Sequence, residues 1–318
     1  MRYSSLLLIF LCVNSFPVNN HAAEIAKDRI GQVKVLSQPD KRAPERHLDG
    51  MTLVWSDEFN GTGRPDTTKW QFETGFCRNH EDQWYQENNA YLDGKGALVI
   101  EGRKERVLNP AYQSGNTDWR ATRQYAEYTS ASMQSKYIYK YGKVVVRAKV
   151  PVASGSWPAI WQVGNTWEWP LGGEIDMMEY YPFEGKPAIH ANFCWSSNEK
   201  WSSNWKSVAK PLSYFTDKDK DWIDKYHIWT LDWNEDSLKI SLDGELLNEI
   251  STTKTVNGNG GGAAGGHQNP FSNEISSFGD LIWLNLALGG DNGGKIDDSA
   301  FPIKYYIDYV RVYQYTKN

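Results

Sequence analysis

Glu174, Asp176 and Glu179 fall within six residues, in the run Gly-Gly-Glu-Ile-Asp-Met-Met-Glu-Tyr over 172–180. The run otherwise reads as an apolar strand. Three carboxylates crowded on such a strand repel one another, and each raises its neighbours' pKa. A fold gains little from that arrangement. Chemistry that needs one ionised and one protonated carboxyl side by side gains a great deal.

Side chains on a strand alternate between faces, so Glu174 and Asp176 share a face and Ile175 takes the other. Strict alternation sends Glu179 to the Ile175 face. An extra residue in Met177-Met178, accommodated as a β-bulge, returns Glu179 to the face of Glu174. The expectation is therefore three acids in one cleft. Hydrolysis of a glycosidic bond with retention uses a nucleophilic carboxylate and an acid carboxyl about 5–5.5 Å apart. Four effective strand steps separate the two Glu backbones by roughly 13 Å, a gap that leaning side chains on a concave sheet must narrow. On this reading Glu174 is the nucleophile, Glu179 the general acid/base, and Asp176 hydrogen-bonds the nucleophile and helps set its ionisation. An exposed acidic strand or a calcium site is the competing reading. An exposed strand does not explain why Ile175, Met177 and Met178 accompany the acids, between Gly172-Gly173 and Tyr180-Tyr181; a calcium site stays the lesser alternative.

These acids need a scaffold, and composition bounds it. The 318 residues suffice for one large all-β domain or two smaller ones. A net charge of −5, a pI of about 5.7 and a mean hydropathy of −0.62 fit a soluble globular chain with no nucleic-acid partner. The chain carries 15 Trp and 18 Tyr, more than an ordinary core requires. Flat rings with polar edges suit sugars, whose C–H groups lie on the π face; an aromatic β core is the alternative. At the N-terminus Arg2, the apolar run Leu6–Val13 and the small residues Ala22 and Ala23 have the layout of a signal peptide over 1–23. The run is too short to span a bilayer. Export to the medium, periplasm or cell surface is the corresponding expectation. Residues 24–50 read as a polar leader. Beyond the signal only Cys77 and Cys194 remain, and whether they pair is left open.

Short β runs then recur between turns: Ala97–Gly102, Lys143–Val150, Ala188–Cys194, Ile228–Trp233, Leu238–Leu242, Leu281–Leu286 and Tyr305–Tyr313. Asp243-Gly244 is a hairpin turn signal. Without βαβ alternation, the pattern predicts an antiparallel sandwich or jelly roll. The Gly-rich stretch Asn257–Gly266 reads as a mobile loop. One domain over 51–316, a monomer, is expected.

Glu-Ile-Asp-Met-Met-Glu, preceded by Trp157-Pro158-Ala159-Ile160-Trp161, resembles glycoside hydrolase family 16, in the bulged-strand branch of laminarinases, agarases and endo-β-galactosidases. Further likeness runs through Trp55–Phe59, Asn79–Tyr85, Tyr128–Ala131, Tyr141-Gly142, Asn285–Gly290 and Asp308–Tyr313. The resemblance implies an all-β jelly roll with a substrate cleft on its concave face and retaining endo-hydrolysis of a β-linked polysaccharide. It carries the nucleophile and acid roles to Glu174 and Glu179. It implies no cofactor for catalysis, and a structural calcium at Glu58 and Asp308. Three departures bear on substrate. Ser132 stands where laminarinases commonly have Arg, Asp82 replaces a Leu, and Asn109–Glu127, containing Trp119, looks like an added loop. Laminarin-like β-1,3- or mixed-linkage glucan is the leading substrate. Poly-lactosamine, mucin O-glycans or agar-type galactans are the alternative.

Candidate sugar contacts are Trp157, Trp161 and Trp169, with Trp167 beside the last; His190, which alternatively tunes Glu179; Asn79 and Glu81; Trp119; and Trp195, Trp201 and Trp205 as a wall. Asn285 reads as a sugar contact or a turn cap. A non-catalytic lectin on the same scaffold is the alternative from another class, but it has no need of all three acids. A transglycosylase shares the covalent intermediate.

Overall fold

Alternation is plain in Gly142–Lys149: Gly142, Val144, Val146 and Ala148 are buried while Lys143, Val145, Arg147 and Lys149 are only partly so. One face of this strand joins a core and the other looks outward. Burying each Val or Leu of such a face stabilises by about 1.5–3 kcal/mol. The computed structural model describes residues 48–259, 266–272 and 279–316. The expected signal peptide and all but the end of the leader lie outside the described residues, as do residues 260–265 of the Gly-rich loop.

The strands form two large antiparallel sheets and two small pairs. The nine-stranded sheet runs in the order Glu245–Ser251, Ser237–Leu242, His227–Trp233, Gly142–Lys149, Ile303–Tyr315, Leu98–Gly102, Ala90–Asp93 and Thr62–Gly63, with Met51–Asp57 also paired to Ile303–Tyr315. The seven-stranded sheet runs Ser203–Pro211, Lys186–Ser196, Glu174–Phe183, Ser156–Gly164, Asp280–Leu288, Ser132–Ser135 and Trp70–Phe72. One apolar cluster joins them: Val144, Val146, Trp229, Leu231 and Val312 from the first sheet, Ile160, Ile175, Met178, Phe193 and Leu284 from the second. The all-β jelly-roll sandwich expected from the strand spacing is present. The hairpin at Asp243-Gly244 has φ of 49° and 84°, the two positive values a two-residue type I′ turn demands. Several strands were not foreseen, among them the short Trp70–Phe72, Ala90–Asp93 and Ser132–Ser135, the edge strand Glu245–Ser251, and two longer ones. Ser203–Pro211 is a polar edge strand with a weak alternation signal, and Ser156–Gly164 contains Pro158. Among the described residues no helix is long and apolar enough to cross a membrane.

The seven-stranded sheet is buried on both faces near its middle: every residue of Glu174–Tyr180 is buried except the half-buried Glu179. Its inner face is core, and its outer face carries the acids. Register shows how. Asp176 pairs with Asn192 and Glu179 with His190, so Met177 and Met178 together oppose the single residue Ala191. On the other side Trp161 pairs with Asp176 and Ile160 with Met178. This is the bulge expected from Met177-Met178. Both Met side chains are fully buried in the core. Before the strand, Gly173 has φ of 73°, and a Cβ there would lie 2.7 Å from the Phe271 ring. Only glycine fits the turn that delivers Glu174.

Inserting one alanine between Met178 and Glu179 adds a second surplus residue that the bulge does not absorb, and plain alternation then turns Glu179 toward the core. An unpaired buried carboxyl is costly, so the melting temperature is expected to fall by about ten degrees or more. A wild-type melting temperature by differential scanning calorimetry would show that the residue count at the bulge does not set the orientation of Glu179.

Candidate active site

Strand alternation on three neighbouring strands points a fixed set of side chains at the acids. Ser156–Gly164 presents Trp157, Ala159 and Trp161; Lys186–Ser196 presents Asn192; Asp280–Leu288 presents Asn285. The resulting cleft crosses the strands, from Ser203, Trp205 and Ser207 at one edge to Arg78, Asn79 and Glu81 at the other. Glu174, Asp176 and Glu179 line its middle.

The acids are joined by neutral donors. Trp169 Nε1 donates to Glu174 Oε2 at 2.5 Å, and Trp157 Nε1 donates to Glu179 Oε1 at 2.8 Å. The amide of Asn192 bridges the other two acids, donating to Asp176 Oδ2 at 3.2 Å and Glu179 Oε2 at 3.1 Å. Asp176 and Glu174 hydrogen-bond each other. Burial dominates the electrostatics. It pushes Glu174 up to about 7 and Glu179 up to about 8, and Asp176 well above the carboxylate range. Trp169, Asp176 and the Arg78 charge pull Glu174 back down. Glu179 has Trp157 and Asn192 pulling it down but the Glu174 charge pushing it up. Glu174 is thus the easier of the two Glu to ionise. Asp176, held well above the carboxylate range by burial and by the charges of Glu179 and Glu174, is the donor in its hydrogen bond to Glu174. One ionised and one protonated Glu, flanking an open cleft, is the arrangement that retaining glycoside hydrolysis uses.

Other expected site residues fall into four groups. Asn79 and Glu81 line the cleft, and burial lifts Glu81 to about 7. Trp157, Trp161 and Trp169 also line it, each less than a tenth exposed. The indole N–H groups of Trp157 and Trp169 are spent on the acids. Trp161 is stacked on Trp283 at 5.1 Å, and its N–H is given to Asn285 Oδ1 at 2.7 Å. They are buried floor and clamps. His190 and Trp119 are absent from the cleft wall. His190 stacks on Tyr181 at 3.6 Å, with Nε2 donating to the Tyr181 carbonyl at 3.1 Å, and burial pushes it down to about 4. It backs Tyr181, which lines the cleft and packs edge-on against Trp157 at 5.6 Å. Of the wall tryptophans, Trp205 lines the cleft with 42% of its surface exposed. Trp195 packs against the core, and Trp201 lies beside Lys200.

Sequence reading missed Asn192, Arg78 and Tyr181. Period two from His190 places Asn192 beside the acids, so its signal was available. Arg78 sits in a loop without period and had none.

The three departures have structural partners. Arg123, at the end of the added loop, donates to Asp82 Oδ1 at 2.8 Å and to the Glu81 carbonyl at 2.7 Å, and lies 3.9 Å above the Phe76 ring. Asp82 therefore clamps the loop to the cleft margin. Trp119 is held there against His80 at 5.1 Å and Phe76 at 6.0 Å. Asn109 ties the loop together by donating to the carbonyls of Arg120 and Arg123. Ser132 donates to Glu73 at 2.6 Å, and Glu73 pairs with Arg78. A guanidinium thus reaches the cleft from position 78 rather than 132.

The donor set offered for calcium does not fit that ion. Glu58 is paired with Arg311 at 2.7 Å and Asp308 with Arg147, so a guanidinium already occupies each carboxylate. Among the described residues no group of three or more His, Cys, Asp or Glu is placed to hold a metal. Cys77 and Cys194 are separate buried thiols.

Comparison with known proteins agrees with this geometry. The profile of "Glycosyl hydrolases family 16" matches residues 79–263. Glucan endo-1,3-beta-glucosidase A1 of Niallia circulans is 29% identical over 84% of this chain and 38% of its own length. Keratan-sulfate endo-1,4-beta-galactosidase of Sphingobacterium multivorum is 27% identical over 97% of this chain and 64% of its own. The chain spans only part of both relatives. Among solved structures, one from work on endo-acting O-glycanases that human gut bacteria express to initiate mucin breakdown has 33% identity and a TM-score of 0.72. It covers 86% of this chain and 94% of that one. The LamA catalytic domain of Zobellia galactanivorans has 30% identity and a TM-score of 0.63, covering 83% and 98%.

The buried acids make stability depend on pH in a defined sense. Glu179 is raised from 4.5 to about 8, so between those values the folded chain binds more protons than the unfolded one. Its stabilising contribution is complete below pH 4.5 and is lost as pH rises through 8. Glu179→Gln, neutral throughout, is expected to melt with the wild type near pH 4.5 and several degrees above it at pH 8. Calorimetry at both pH values checks this, and a gap of equal size at each pH would contradict it.

Proposed function

The chain belongs to glycosyl hydrolases family 16, and on that premise we propose that it is a retaining endo-β-glycosidase. The observation that carries the proposal is the bulge at Met177-Met178, which sets Glu174 and Glu179 on one face of an open cleft with Asp176 between them. In the first step the Glu174 carboxylate bonds to the anomeric carbon while Glu179 gives its proton to the departing oxygen. In the second, Glu179 takes a proton from water, whose oxygen displaces Glu174 from that carbon. Asp176 donates to Glu174 and favours its ionised form. Asn192 and Trp157 stabilise the carboxylate that Glu179 becomes. A cleft that runs across several strands suits cleavage within a chain.

For substrate we propose first β-1,3- or mixed-linkage β-glucan, after the glucanase relatives. A second reading, β-galactoside chains of the O-glycan type, is favoured by two observations. The loop holding Trp119 is fastened to the cleft margin through Arg123 and Asp82, and the O-glycanase structure is the better match of the two structures compared.

Glu174→Gln is expected to lower kcat by at least about a thousandfold on the best substrate. Chromatography of digests of laminarin, lichenan, agarose and mucin O-glycans identifies that substrate, and unchanged hydrolysis by Glu174→Gln would refute the nucleophile assignment. Arg123→Met frees the loop. If the loop selects O-glycans, KM for those chains rises about tenfold while KM for laminarin stays the same; equal changes on both would show that the loop is only structural.

A further inference from the structure

Arg78 is an unusual cleft residue. It is 6% exposed, yet its Nη1 is buried without a hydrogen-bond partner. The rest of the guanidinium is fixed. Nη2 is paired with Glu73, which is itself fixed by the Ser132 hydroxyl. The plane lies 5.3 Å from the Trp161 ring centre, 5.4 Å from that of Trp283 and 6.0 Å from that of Tyr85. Nη1 thus has no freedom to seek water elsewhere. The neighbouring residue has the complementary defect. Asn79 Oδ1 is buried and unpartnered, while its Nδ2 donates to Glu81 Oε1 at 3.2 Å. Both residues line the cleft at the edge opposite Trp205.

The backbone holds this pair in place at a cost. Asn79 and His80 are consecutive non-glycine residues with φ of 54° and 49°. The Asn79 carbonyl accepts from Asp291 N at 2.8 Å, and a Cβ on Gly290 would approach that carbonyl to 2.6 Å. Strain of this kind persists where surroundings impose it and clusters at ligand clamps. A buried orphan donor and a buried orphan acceptor on consecutive residues of one cleft edge cost free energy until something fills both.

We propose that Arg78 and Asn79 form a single recognition unit for a neutral sugar group that accepts a hydrogen bond from Nη1 and returns one to Asn79 Oδ1. A hydroxyl and a 2-acetamido group share that chemistry. A sulfate ester does not. It has no proton for Asn79, and it enters a site where Glu73, Glu81 and Glu174 already crowd the Arg78 guanidinium. The unit therefore selects unsubstituted sugar over sulfated sugar at this edge of the cleft. This inference rests on the cleft being a glycan site, as proposed above.

The test reads binding, so that it stands apart from hydrolysis. In a Glu174→Gln background, calorimetry compares Arg78→Lys and Asn79→Ala on laminaritetraose, a tetrasaccharide of N-acetyllactosamine repeats, and the 6-sulfated form of the latter. Arg78→Lys keeps the charge and the partner for Glu73 but loses the fork, and thermal melting verifies that it folds. The expected result is a loss of about tenfold or more for each variant on an unsulfated tetrasaccharide that binds. The two losses together should fall short of their product, and the sulfated form should bind at least about tenfold more weakly than its parent. Whichever unsulfated tetrasaccharide loses affinity identifies the group as hydroxyl or acetamido. Unchanged affinity in both variants, or equal binding of sulfated and unsulfated forms, overturns the proposal. Failure of the wild type to cleave any substrate in the earlier panel would instead overturn the hydrolase reading.

Discussion

The two-residue period of a β-strand is the constraint on which this active site depends. A strand offers one face to solvent and one to the core, and three acids at positions 174, 176 and 179 cannot share a face under strict alternation. The chain resolves the conflict with one surplus methionine. Met177 and Met178 both turn into the core opposite Ala191, and Glu179 emerges two effective steps from Asp176. That spacing is short enough for one amide, Asn192, to reach both carboxyls. The same residue that breaks the ladder therefore assembles the acids and fills the core beneath them.

The acids are expensive to keep where they are. Burial disfavours charge on all three, and mutual repulsion adds to the cost. The fold offsets this with donors that carry no charge of their own: two indoles and an amide. Positive side chains in their place would pin both Glu residues ionised and leave no proton to give. Arg78 biases Glu174 from the adjoining floor without a hydrogen bond to it, and so separates the two Glu residues rather than lowering both. The aromatic wealth of the chain is accordingly spent less on open platforms than on fixing carboxylates and packing the cleft floor.

Much of the scaffold was legible because it follows local rules. The strand at Gly142–Lys149 alternates, Asp243-Gly244 can adopt two positive φ values with little cost, and the doubled Met announces a bulge. Ser203–Pro211 escaped notice because an edge strand has only one partner and need not alternate. The acids were legible from their crowding alone. The roles of Trp157 and Trp169 were not, because composition identifies an indole without showing where its N–H points. His190 was placed near Glu179 correctly in register, yet it acts on Tyr181, since ring stacking took precedence over proximity in the ladder. Arg78 and Arg123 were illegible for a simpler reason: each works across a long sequence separation, from a loop with no period to read.

The Arg123–Asp82 clamp joins the end of a long loop to the margin of the cleft, and nothing in it touches the acids. Such a fastening makes the loop a separable part. Sequence between Asn109 and Arg123 can drift, lengthen or be exchanged while the two ends stay anchored, and the chemistry at Glu174 and Glu179 is left undisturbed. The ion pair thus divides the cleft into a margin that can be altered and a centre that is left as it is.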